Sequence, residues 1–195
     1  MQAAPQTLDP VRDNSNTLWR IAYSMFEPLL FVDYKDQLAI KPGLASAWRR
    51  LSPTVLEFTL REDVVFHNGE RMTAEDVAFS MGPERSLSEG APGNAMARIY
   101  IGTVERVEAV DGRTVRIATR GPDPIIEQRI AGWTAQIISK KAYLAAPSPE
   151  AWERARRSRP VPTRSRNSAP TSGSSSRPTT PITAAGRPCA RSSSW

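Results

Sequence analysis

A mixed α/β or α+β body is predicted by three stretches of this chain. Residues 58–80, FTLREDVVFHNGERMTAEDVAFS, run strand, polar turn and capped helix in close succession. Within residues 103–119, Val107 and Val110 lead into Asp111-Gly112, and Val115, Ile117 and Thr119 alternate afterwards, a hairpin pattern with a primed turn. Near the start, Leu18, Ile21, Ala22 and Met25 recur every three or four residues, as on one face of a helix.

Taken in order, Asp13, Asn14 and Ser15 are candidate caps for that first helix, which Pro28 closes. Phe31-Val32-Asp33 and Leu38-Ala39-Ile40 read as short extended pieces around a Lys35-Asp36 turn, and Pro42-Gly43 makes the next break. In the 58–80 segment, Phe58 and Leu60 alternate with Thr59 and Arg61, and Val64, Val65 and Phe66 continue into the His67-Asn68-Gly69-Glu70 turn. Thr73 and Asp76 are spaced as a capping box, and Val77, Ala78 and Met81 form the apolar side of a helix ended by Gly82-Pro83. Residues 86–94, rich in Gly, Ser and Pro, read as a surface loop. Beyond the hairpin and the break at 122–124, residues 125–130 suit a short helix and 136–138 a strand. Ser139 then caps a helix over 140–146. No internal repeat is present.

Composition divides the chain. Residues 1–153 carry 17 Lys or Arg against 20 Asp or Glu, a balance of −3, whereas residues 154–195 carry nine Arg and no acid. The overall charge of +6 therefore belongs to the tail. With ten Ser, six Pro and few large apolar residues, 154–195 is expected to be disordered, since it has too little surface to bury against its ordering entropy. A basic tail raises the question of nucleic-acid binding, but no aromatic residues are interleaved with these arginines as stacking on single strands favours. Another origin fits better. Read one base earlier with GC-rich codons, residues 160–195 can spell a peptide beginning TGPYPVPELRADERLVLEAHDAYYGG, with acids, alternating apolar residues and a Gly-Gly turn. The tail is therefore expected to be out of frame from near Ser158 or Arg159.

Catalytic classes find no support. His67 is the one histidine, so neither a His-based metal cluster nor a Ser-His-Asp triad can be assembled. Cys189, the one cysteine, lies in the tail and leaves no intrachain disulfide. Glu75 and Asp76 lie where acids favour a helix dipole rather than as a catalytic pair. Neither a P-loop nor a dinucleotide fingerprint occurs, and no cofactor is expected. Met1-Gln2-Ala3-Ala4-Pro5 shows no export signal, and no stretch approaches the roughly 18 to 20 apolar residues of a membrane span.

Four motifs agree in order: Leu8-Asp9-Pro10, Phe26-Glu27-Pro28-Leu29, Pro42-Gly43-Leu44-Ala45 with Trp48, and the 58–80 segment. Together they resemble the bacterial extracellular solute-binding proteins of family 5, the peptide- and nickel-binding components of ABC importers, over residues 5–145. The resemblance implies a partial class II periplasmic-binding-protein-like fold: residues 1 to about 35 begin the first lobe, about 36–140 form an extra small domain, and the second lobe is absent. It also implies a non-enzymatic protein, periplasmic or extracellular and membrane-associated when intact, that delivers a peptide or similar solute to ABC permease subunits. No nucleic-acid partner is expected. Candidate solute-binding residues are Asn14, Ser15, Asn16, Tyr100 and Trp133. Helix capping is the competing and favoured role for the first three, core packing the rival for Tyr100, and burial the favoured role for Trp133. Two other readings stay open: a ligand-sensing domain of a regulator, although no helix-turn-helix precedes it, and nucleic-acid binding through the tail.

Overall fold

The computed structural model describes residues 5, 7–13, 15–132, 135–157 and 164–165. Helix α1 spans Asn16–Met25 and is capped by Ser15, whose hydroxyl accepts from the Leu18 amide. Its buried positions are Leu18 and Ala22, with Ile21 and Met25 packed beside them, the face that the spacing predicts.

Strands β1 (Leu30–Asp33) and β2 (Ala39–Pro42) then form an antiparallel pair. Between them Gln37 and Leu38 both take positive φ, +48° and +63°, so Leu38 lies in the turn and not in the extended piece expected of it. Gly43 follows where the chain doubles back on α1's exit: its amide donates to the Leu29 carbonyl at 3.0 Å, and a Cβ there would stand 2.6 Å from the Pro28 carbonyl oxygen.

A four-stranded antiparallel sheet of order β3-β4-β7-β6 is built from Ala45–Ser52, Val55–Leu60, Thr114–Thr119 and Val104–Ala109 respectively. Alternation sorts its two faces. Leu56, Phe58, Val107, Val115 and Ile117 are buried on the inner face, with Trp48 partly buried against them. On the outer face, Arg49, Glu57, Arg116 and Glu108 stand opposite one another across all four strands. Glu57 accepts from Arg49 at 2.6 Å and Arg116 at 2.8 Å, and those bonds, Arg49's foremost, hold its carboxyl below the usual range.

The β6–β7 connection differs from expectation. It is a four-residue loop, Val110 to Arg113, rather than a two-residue primed turn, because one Asp111 carboxylate oxygen accepts from the amides of both Arg113 and Thr114 at 2.7 Å.

Strand β5 (Val64–Val65) leads into helix α2 (Ala74–Met81) through the predicted turn, and Thr73 with Asp76 forms the reciprocal capping box. Asp76 does more than cap: its second carboxylate oxygen accepts the Lys140 amide at 2.8 Å, joining α2 to the later chain. Past Gly82 the backbone makes one π-helical turn, Pro83–Leu87, and a further helix, α3, covers Asn94–Tyr100. The expected loop over 86–94 is thus confined to its middle.

Helix α4 (Ile126–Ile130) is as predicted. Residues 136–138 are not a strand: Gln136 makes an isolated bridge to Pro28, the Ile137 amide bonds the Glu27 carbonyl, and the Ser80 hydroxyl takes the Ile138 amide at 3.0 Å, so no ladder can propagate. Ser139 caps α5 (Lys140–Leu144), accepting from the Ala142 amide at 3.1 Å. A sixth helix, α6 (Pro149–Arg157), crosses the point where composition changes, and Arg164–Ser165, β8, pairs antiparallel with β5. The rest of 154–195 lies outside the described residues.

Two hydrophobic cores result. One lies under the sheet, and the other joins Leu8, Leu18, Ala22 and Phe26 to Phe79, Ile138 and Trp152.

Gly43→Ala is expected to lower stability by roughly 1–3 kcal/mol, because backbone rather than a flexible side chain opposes the added methyl; urea denaturation measures it, and an unchanged midpoint would contradict the close approach. For Glu57, the depressed folded pKa means a contribution present above its ordinary value of 4.5 and lost as pH falls through the folded one. Glu57→Gln should therefore flatten the fall in denaturation midpoint below about pH 5, and equal slopes for both proteins would refute it.

Candidate ligand-binding site

Asp9 and Arg85, 76 residues apart, form a bidentate ion pair at 0% and 1% side-chain exposure. Nη1 of Arg85 donates to Oδ2 of Asp9 at 3.0 Å, while Nη2 donates to Oδ1. Oδ1 also accepts the Val11 amide at 3.1 Å, and the Asp9 amide donates to the Thr7 hydroxyl at 3.0 Å, so the Leu-Asp-Pro segment is a folded turn around its carboxylate. Aromatic rings cover the guanidinium: its Cζ lies 4.8 Å from the Tyr143 ring centre and 5.8 Å from that of Trp152. These rings meet edge-on at 5.3 Å, Trp152 stacks on Phe26 at 6.5 Å, and Tyr143 tilts against Phe79 at 5.5 Å. Arg12 adds ion pairs of 3.1 Å to both Glu150 and Glu153 of α6.

Helix α1 rests on this packing with its opposite side turned outward. Asn16, Trp19 and Tyr23 recur at three- and four-residue spacing, and of these Trp19 is half-buried, packed against the second core. Asn16 is exposed and Tyr23 is 50% exposed. Tyr100, at the end of α3, meets Trp19 edge-on with ring centres 6.3 Å apart, and its carbonyl accepts from Arg129 at 3.1 Å. Partial burial pushes the Tyr23 phenol above its ordinary pKa, with smaller contributions from Tyr34 and Tyr100 nearby. The result is a polar and aromatic face with rigid support behind it.

Among the residues singled out from sequence, Ser15 is occupied as a cap, bonding Asp13 and the Leu18 amide. Asn16 and Tyr100 flank the same face. Asn14 and Trp133 lie outside the described residues. Tyr23 was missed, although its spacing from Asn16 marks it on the exposed side of α1; Trp19, also missed, packs at the edge of the second core.

A cavity of about 600 Å³ lies elsewhere, between the turn at Phe66 to Thr73 and α5. Lys140 and Lys141 cross it to Glu75 at 3.2 Å and Glu70 at 2.5 Å, so its charges are already matched. Among the described residues no group of three or more His, Cys, Asp or Glu is placed to hold a metal ion, and no helix is long and apolar enough to cross a membrane.

Comparison with known proteins places these features. Residues 39–165 match the family described as "Bacterial extracellular solute-binding proteins, family 5 Middle". The probable D,D-dipeptide-binding periplasmic protein DdpA of Escherichia coli K12 is 30% identical over 144 residues, covering 70% of this chain and 26% of that protein. The solute-binding protein MoaA from A. tumefaciens R10, solved with mannopinic acid, is 26% identical with a TM-score of 0.65, covering 81% of this chain and 31% of its own. A nickel ABC transporter protein from Bacillus halodurans is 31% identical with a TM-score of 0.58, covering 71% and 27%. The chain thus spans between a quarter and a third of these relatives.

Replacing Asp9 by Ala strands a buried guanidinium and is expected to cost about 3–5 kcal/mol in urea denaturation. The double variant Asp9→Leu/Arg85→Met removes both charges and should recover at least half of that loss. Additive losses would show that the pair contributes no coupling.

Proposed function

The chain belongs to the bacterial extracellular solute-binding proteins of family 5, and we propose that it forms part of the substrate-binding component of an ABC importer that captures a peptide or similar small solute outside the cytoplasm. The family match across residues 39–165 carries this reading. Members of the family bind solutes and are not enzymes. The fold is that of periplasmic-binding-protein-like relatives, of which this chain supplies about three-tenths.

Asn16, Trp19, Tyr23 and Tyr100 form one wall of the solute cleft in this proposal, with Ser15 acting through the helix it caps. Aromatic faces bury apolar solute surface at little entropy cost, and an exposed amide can pair with peptide groups. DdpA is named for D,D-dipeptides and MoaA was solved with mannopinic acid, so an amide- or carboxylate-bearing solute is the class to try first. Delivery to membrane permease subunits and a periplasmic or extracellular site follow from the same family reading. A frame slip near Ser158 or Arg159 is part of the same proposal.

Sequencing the gene from upstream of codon 1 to well beyond codon 195 tests the frame: a continuous frame entering TGPY and running on through a second lobe is expected, and confirmation of the present frame with a stop at Trp195 would sink the slip. In the restored protein, Tyr23→Ala and Tyr100→Ala should each weaken dipeptide binding about tenfold by calorimetry, with thermal stability held in the first and lowered in the second, whose ring also packs on the core. Unaltered affinity in both would remove the α1 face from the cleft.

A further inference from the structure

Among the described residues most arginines are occupied, Arg20 of α1 being an exception. Arg12, Arg49, Arg50, Arg61, Arg113 and Arg116 each hold a carboxylate. Arg98 and Arg120 hold neither carboxylate nor carbonyl among the described residues, and both line the same polar cavity of about 330 Å³. We infer that this cavity is an oxyanion-binding site, separate from the α1 face, for a small phosphorylated or polycarboxylate molecule.

Three elements build it. Asn94, Ala97 and Arg98 lie at i, i+3 and i+4 on one side of α3 and face the cavity. Asn94 donates its side-chain amide to the carbonyls of Ser86 and Leu87, at 3.4 and 3.1 Å, which ties α3 to the π-helical turn. Arg120 leaves the end of β7 with its amide bonded to the Thr103 carbonyl at 2.9 Å, so its backbone is set beside the start of β6. Gly102 completes the wall, since the backbone there passes so close beneath α3 that a Cβ would come 2.3 Å from the Arg98 carbonyl oxygen. The walls are therefore preformed, and only the two guanidiniums need to settle on a ligand.

Charge decides the ligand class. Glu89 is the one acid on the lining, so two fixed cations face a single carboxylate. Guanidinium forks recognise phosphate and carboxylate oxygens through paired hydrogen bonds, and two forks from different elements suit a ligand with more than one anionic oxygen. The volume exceeds what a bare ion fills and admits a phosphate monoester or a tricarboxylate.

The test is titration of the full chain with inorganic phosphate and with citrate, at ionic strength held constant with chloride, followed by calorimetry and arginine side-chain NMR. Saturable binding is expected. Arg98→Ala and Arg120→Ala should each weaken it tenfold or more, Lys at either position should restore part, and Arg20→Ala should leave it intact. Tighter citrate binding would assign a carboxylate ligand and tighter phosphate binding a phosphoryl one. Absence of saturation would overturn the inference. So would binding that survives both substitutions and falls instead on replacing Arg177 and Arg191 of the basic tail. Both cavity arginines are exposed, so thermal unfolding without ligand should match the parent and expose any loss of fold. Solute capture at the α1 face does not enter this readout, so either proposal can fail alone.

Discussion

The buried pair between Asp9 and Arg85 governs how the start of this chain is attached to the rest. Taking a carboxylate and a guanidinium out of water costs several kcal/mol per ion, and only near-complete satisfaction offsets it. Here the carboxylate has two guanidinium bonds and a backbone amide, while the guanidinium has both Nη groups bonded and an aromatic face beside it, its buried Nε alone lacking an acceptor. Each of those partners belongs to a different segment. The pair joins the Leu-Asp-Pro turn to the π-helical turn, and the rings of α5 and α6 close over it. Phe26 and Trp152 then join the end of α1 to α6 in the same core.

The sheet obeys a different logic. Its inner face is a continuous apolar layer that would hold its register with any polar outer face, because a one-residue slip would turn Phe58 and Leu56 to water. The Arg49–Glu57–Arg116–Glu108 row lies on the solvent side, where ion pairs are screened and each contributes little. Its effect is to favour the right neighbours and to place charge on β3 and β6, the two edge strands, which discourages further strand addition. Buried charge therefore sets how segments meet, while exposed charge guards a sheet whose stability comes from its core.

This division also explains which features the sequence made legible. Thr73 and Asp76 lie three residues apart, so their capping box is readable directly, and so is the alternation of Val115 and Ile117. The Asp111-Gly112 pair read as a tight turn because the signal counts residue types. The outcome turned on a side chain bonding two amides beyond it, which shifts the closure by two residues. Helix α3 was hidden because Asn94 to Tyr100 follows a run of Gly, Ser and Pro that obscured its start, and its helical state depends on tertiary anchoring by Asn94. Residues 136–138 have strand composition, yet Ser80 takes the amide that a ladder needs. The Asp9–Arg85 pair was invisible for a simpler reason: nothing in a single sequence marks two residues 76 positions apart as partners. On the candidate site, Asn16 and Tyr100 were within reach, whereas Tyr23 needed the exposed side of α1 to be read with the same period as its buried side, and Trp19 packs at the edge of the second core.

A recognition face must keep its shape when a ligand is absent, since every rotamer ordered on binding subtracts from affinity. Helix α1, the face proposed for the solute, meets that requirement through its two sides. Leu18 and Ala22 are fully buried in the core that holds Phe26 and Trp152, so the helix cannot roll without exposing them. Ser15 fixes the first turn, and the edge-on contact of Trp19 with Tyr100 limits the freedom of both rings. The residues that present the face therefore owe their positions to groups that no solute touches. The Asp9–Arg85 pair is chief among these, because Arg85 holds Tyr143 and Trp152 in the layer on which α1 rests. A polar pair buried far from solvent thus becomes a determinant of an exposed surface, through the aromatic rings that separate the two.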